Sequence, residues 1–76
     1  MKKILVVEDD EVERELVRMT LEREGYRVVT AEDGVRGFEL ALAERPDLII
    51  TDVAMPAADG VQLVRRVRSA LRTLKD

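Results

Sequence analysis

Residues 45–60 read RPDLIITDVAMPAADG, and the succession of residue types within this stretch gives the pattern for the whole chain. Pro46 lacks an amide hydrogen and restricts Arg45 before it, so Arg45-Pro46-Asp47 ends whatever helix precedes it. Leu48-Ile49-Ile50-Thr51 is a short apolar run of the kind that suits a strand covered on both faces, predicted over about 47–52. It delivers Asp52 to the point where the strand emerges into a loop, 52–60. In that loop Met55-Pro56 fixes the backbone, and Asp59-Gly60 turns into a helix over about 60–74 with Val64, Val67, Leu71 and Leu74 at helical spacing.

The same strand, loop and helix sequence occurs twice upstream. A strand is predicted over about 2–8, where Ile4-Leu5-Val6-Val7 runs into Glu8, Asp9 and Asp10. From Glu11 the period changes to that of a helix over about 11–24. Val12, Leu16 and Met19 recur on it, Val17 and Leu21 lie beside them, and charged residues fill the remaining face. Asp10 with Glu13 has capping spacing, and Gly25 is a natural left-handed stop. Tyr26 to Thr30 reads as a second strand and Ala31-Glu32-Asp33-Gly34 as the turn after it. A helix over about 34–44 follows, with Val35, Phe38 and Leu42 on one face and Ala41 beside them. Gly37 inside it costs about 0.5 to 1 kcal/mol relative to alanine.

The order is therefore βαβαβα. Short connections and buried strands argue a parallel sheet with right-handed crossovers and helices on both faces, a three-layer α/β architecture. With 76 residues the chain is read as one small domain, 1–76, burying only about 60% of its unfolded surface. It has no cysteine, so neither a disulfide nor a thiolate metal site supplements the core. The opening Met1-Lys2-Lys3 and the four-residue apolar run after it are too short for a signal peptide. No stretch approaches membrane-spanning length, so a soluble cytoplasmic protein without membrane contact is expected. A net charge of −3 and 3% aromatic residues give neither a basic footprint nor a stacking platform, so direct nucleic-acid binding is not expected.

In an open α/β sheet, ligands bind beyond the carboxyl ends of the strands. Asp9 and Asp52 both fall there. Hard oxygen ligands grouped in this way suit Mg²⁺, which takes one or two carboxylates and keeps several waters. A carboxylate beside the metal can act as a nucleophile toward phosphorus. Each acid also has a plainer reading: Glu8 to Glu11 can cap a helix, and Asp52 can satisfy amides of its own loop. Acids at the ends of two strands together favour a site. A phosphohydrolase with an aspartate nucleophile would carry a second acid two residues on, and here that position is Ala54.

Three segments, ILVVEDD (4–10), TAEDG (30–34) and RPDLIITDVAMPAADG (45–60), resemble the receiver domain of two-component response regulators, and the resemblance extends over essentially the whole chain. It implies the flavodoxin-like, CheY-like fold. It implies that Asp52 is the phosphoacceptor, taking a phosphoryl group from a histidine kinase or a small phosphodonor, in a signalling domain rather than an enzyme. Asp9 would ligate Mg²⁺ directly, Glu8 would do so through water, and Asp52 and the carbonyl of Ala54 would complete the set, with Asp10 left as a helix cap.

Receiver domains continue through two further strands and helices, which bring a Ser or Thr, a Lys and an aromatic switch residue; the sequence matches the first three βα units of five. Two expectations follow. Phosphotransfer to Asp52 is impaired for want of partners to the phosphoryl oxygens. The third strand is a bare edge through which the chain self-associates, directly or by exchanging elements, into a homo-oligomer. The competing function is a self-associating assembly module with the acid site idle.

Overall fold

The computed structural model describes residues 2–51. The elements run β1 (Lys3–Val7), α1 (Glu11–Arg23), β2 (Arg27–Ala31), α2 (Gly34–Glu44) and β3 (Leu48–Ile50). The loop expected over 52–60 and the helix over 60–74 lie outside the described residues. β2 is shifted one residue later than the expected 26–30, and β3 is the central part of the expected 47–52.

All pairings are parallel, in the order β2-β1-β3. In register, Lys3 to Val7 lie beside Arg27 to Ala31, and Ile4, Leu5 and Val6 beside Leu48, Ile49 and Ile50. Because successive strand residues face opposite sides, the two faces of the sheet carry different sets. Ile4, Val6 and Ile50 form one face and are buried together with Val17 and Leu21 of α1, with Leu16, Tyr26, Val28 and Leu48 packed around them. The opposite face carries Leu5 and Val7, and α2 lies over it. The result is helix, sheet and helix in three layers around β1, whose Ile4, Leu5 and Val6 are at most 1% exposed.

Both helices start on an aspartate. Asp10 accepts a hydrogen bond from the Glu13 amide at 2.9 Å, and Asp33 accepts one from the Arg36 amide at 2.8 Å, each satisfying an amide that the helix leaves open. α1 ends on Gly25 at φ +89, a conformation that suits glycine. α2 ends differently, on Arg45 at φ 48, whose amide donates to the Ala41 carbonyl. Asp47 then ties the chain to the start of the sheet. Its carboxylate accepts from the Lys3 amide at 2.7 Å, and its own amide donates to the Lys3 carbonyl at 2.7 Å. The Lys3 ammonium reaches Glu44 Oε1 at 3.0 Å.

The helix faces differ from those expected. On α1 the buried pair is Val17 and Leu21, while Val12 is 77% exposed and Met19 partly so. On α2 the expected face of Val35, Phe38 and Leu42 is exposed, and the helix turns Gly37, Leu40, Ala41 and Glu44 toward the sheet. The reason is proximity. A Cβ on Gly37 would lie 2.7 Å from Val7 Cγ2, so α2 sits closer to β1 than any larger residue would allow. Gly37 is therefore a contact residue in the packing, not merely a weak point in the helix.

Candidate functional site

β1, β2 and β3 all end at one edge of the sheet, and there Val7, Glu8, Asp9, Glu32, Asp33, Gly34 and Thr51 line a cleft of about 450 Å³. The parallel register explains the gathering. The ladder continues one step past Val7 and Ala31, with the Glu8 amide donating to the Ala31 carbonyl at 3.0 Å, so the acids after β1 meet those after β2. Thr51 joins them from the end of β3.

Glu8 is the unusual member, a carboxylate only 3% exposed. Its Oε1 accepts from the Asp10 amide at 2.8 Å, and its main-chain carbonyl accepts from the Arg14 guanidinium at 2.9 Å. Its Oε2 is buried and, among the described residues, has no hydrogen-bond partner. Burial pushes the Glu8 carboxyl above the usual glutamate range. The Asp10 amide pulls it back in part, while the neighbouring Asp9 carboxyl and the charge of Glu13 push it further up. An unpaired buried carboxylate oxygen costs free energy unless a proton or a cation meets it.

Asp9 lies beside Glu8, exposed, in the same cleft. Two adjacent carboxylates, one with an orphaned buried oxygen, suit a hard divalent cation that keeps part of its water shell. Among the described residues no group of three or more His, Cys, Asp or Glu side chains is arranged to hold a metal. The other two expected ligands, Asp52 and the carbonyl of Ala54, lie outside the described residues. Asp10 is a helix cap, as its spacing suggested. Sequence reasoning passed over Glu32 and Asp33 as turn residues and gave Arg14 only a place on a charged face. The signal for Glu32 was its position: EDG (32–34) follows β2 just as EDD (8–10) follows β1, and parallel pairing of the two strands brings the acids together.

Comparison with known proteins shows the family. The family model described as the response regulator receiver domain matches residues 4–75. The chain belongs to the response regulator receiver domain family. This receiver is 48% identical over 65 residues to the transcriptional regulatory protein CseB of Streptomyces coelicolor, covering 86% of the chain and 28% of CseB. It is 46% identical over 67 residues to the alkaline phosphatase synthesis transcriptional regulatory protein PhoP of Bacillus subtilis, covering 88% of the chain and 28% of PhoP. The receiver thus spans little more than a quarter of the length of these relatives. Among solved structures it is similar to the Vibrio cholerae chemotaxis protein CheY4, with TM-score 0.68 and 42% identity, over 91% of this chain and 57% of that one. The parallel β2-β1-β3 sheet with its helices is that part of the CheY-like, flavodoxin-like fold.

Proposed function

We propose that this chain is the phosphoacceptor module of a two-component relay, with Asp52 as the residue that takes the phosphoryl group. The observation that carries the reading is the acid cleft: Glu8 and Asp9 share it with Thr51, to which Asp52 is covalently joined. In the reaction an Asp52 carboxylate oxygen attacks phosphorus, a P–O bond to Asp52 forms, and the bond to the donor breaks. The electron pair leaves with the histidine nitrogen of a kinase or the oxygen or nitrogen of a small phosphodonor.

Asp9 and Glu8 are the residues of the described part that would hold Mg²⁺, with Asp52 and the Ala54 carbonyl as the remaining ligands. When bound, the cation neutralises charge on the transferring phosphoryl oxygens. The chain's own part is to hold the acids in place. The Asp10 amide fixes one oxygen of Glu8, Arg14 fixes its carbonyl, and the Ala31 carbonyl anchors its amide.

The test is incubation with Mg²⁺ and acetyl phosphate or phosphoramidate, followed by intact-mass measurement. A phosphoryl adduct is expected in the parent chain and not in Asp52→Ala. An adduct that persists in Asp52→Ala moves the acceptor elsewhere, and no adduct in either chain overturns the reading.

Partners and location are part of the same proposal: a histidine kinase or phosphodonor, in the cytoplasm. No helix among the described residues is long and apolar enough to cross a membrane. Self-association through β3 is proposed because this strand is one of the two edges of the sheet among the described residues and its Ile49 is half exposed. Light scattering over a dilution series is expected to show more than one chain per particle, and a monomer throughout would refute it.

A further inference from the structure

The structure assigns a role to Glu32: we infer that its carboxylate is a specificity-determining group that strengthens divalent-cation binding at Glu8 and Asp9 without ligating the ion. The inference rests on the metal reading above and concerns a residue that reading does not use.

The parallel ladder sets the geometry. Val7 lies in register with Ala31, and the Glu8 amide bonds to the Ala31 carbonyl, so Glu8 and Glu32 leave neighbouring strands at the same level. Paired strands are about 4.8 Å apart, so the backbones of the two acids are neighbours and both residues line the same cleft. Asp33 lines the same cleft but already accepts a hydrogen bond from the Arg36 amide as the cap of α2. Glu32 is exposed, and no hydrogen bond or ion pair among the described residues engages its side chain.

The second observation is Glu8 itself, nine-tenths or more buried and lining the cleft with Oε2 unpartnered among the described residues. Among the described residues every titratable side chain in the lining is acidic, and the nearby Arg14 guanidinium bonds the Glu8 carbonyl. The cleft is therefore a focused negative field, and a divalent cation gains twice what a monovalent one does for each carboxylate that lines it. Glu32 contributes to that field from the rim, while its neighbour's orphaned oxygen marks where the ion is wanted.

The experiment uses the full 76-residue chain. Mn²⁺ is the probe, and its binding is read from loss of the free-ion electron paramagnetic resonance signal, with circular dichroism confirming that each variant is folded. Glu32→Gln is expected to weaken Mn²⁺ binding about three- to ten-fold at low ionic strength, and the difference should shrink at about 0.5 M salt, where the screening length is only a few ångströms. Glu22→Gln, which changes net charge equally at the far end of α1, is expected to leave the affinity within about two-fold. Equal weakening in both variants would reduce the effect to net charge and overturn the inference, as would a Glu32→Gln chain that binds like the parent. A parent chain that binds no Mn²⁺ at all is a separate result, since it refutes the metal reading itself.

Discussion

Glu8 is a liability in the free protein that the proposed metal site would turn to use. It is buried with one oxygen held by the Asp10 amide and the other, among the described residues, unpaired. Glu8→Gln removes the buried charge while keeping a similar shape, and is expected to raise the metal-free stability by about 1 kcal/mol. If the proposed site holds Mg²⁺, the same change is expected to abolish most of the stabilisation that Mg²⁺ gives the parent. Urea unfolding with and without Mg²⁺ measures both; a variant less stable than the parent in the absence of metal contradicts this account. Gly37 makes the opposite point about local propensity. Alanine is the better helix former, yet its methyl would meet the stiff, branched Val7 at 2.7 Å. Overpacking of this kind costs about 1 to 3 kcal/mol against a propensity gain of under about 1, so Gly37→Ala is expected to lower the denaturation midpoint. A midpoint at or above the parent's would mean that α2 can move away from β1 without loss. The 3.6-residue period showed that residues 34–44 make a helix but chose the wrong face. Bulky Val35, Phe38 and Leu42 carry the stronger hydrophobic signal, whereas the contact runs through a glycine that contributes none.

At the scale of elements, the strand ends and helix starts were legible because each is written in local chemistry. Asp10 three residues before Glu13, Gly25 after α1 and Pro46 after α2 mark boundaries through hydrogen bonding and backbone restriction alone. What was not legible is the tie between distant elements. Lys3 and Asp47 exchange hydrogen bonds across 44 residues of sequence, and the Lys3 ammonium holds Glu44 at the end of α2. The Lys3 ammonium keeps the Glu44 carboxyl below its ordinary value, chiefly through the hydrogen bond and then through its charge. A carboxyl with a depressed folded-state pKa stabilises above its unfolded value and loses that contribution as pH falls through the folded one. Stability is thus expected to decline from about pH 4.5 downward, and Glu44→Gln, which stands in for the protonated form, should flatten that decline by lowering stability modestly near neutrality while leaving it unchanged at low pH. Thermal unfolding of both chains between pH 3 and 7 tests it; parallel curves would show that Glu44 is not the group responsible.

For the molecule as a whole, the three layers meet on one central strand, and stability is concentrated there. Leu21 is fully buried in the α1 layer beside Ile4, Val6 and Val17, so Leu21→Ala is expected to cost about 2 to 5 kcal/mol. A domain this small has a total of only about 5 kcal/mol or a little more. The variant should therefore be largely unfolded at 37 °C by circular dichroism, and a cooperative transition near the parent's would place the core elsewhere. The βαβαβ alternation made the parallel sheet legible from the sequence, and Glu8 and Asp9 after β1 were legible as candidate site residues. The contribution of β2 to the cleft was not, because it depends on register, which no single segment encodes. The spatial order β2-β1-β3 also has a consequence for biosynthesis. β1 is made before both of its neighbours and lies between them, so its β3-facing edge at Ile4-Leu5-Val6 stays open until Ile50 has been added, well after β2 is available for the other edge. At about 5 to 20 residues per second the ribosome leaves that edge without its partner for roughly 2 to 9 s. For that interval the nascent chain presents to chaperones the segment that the finished protein hides most completely.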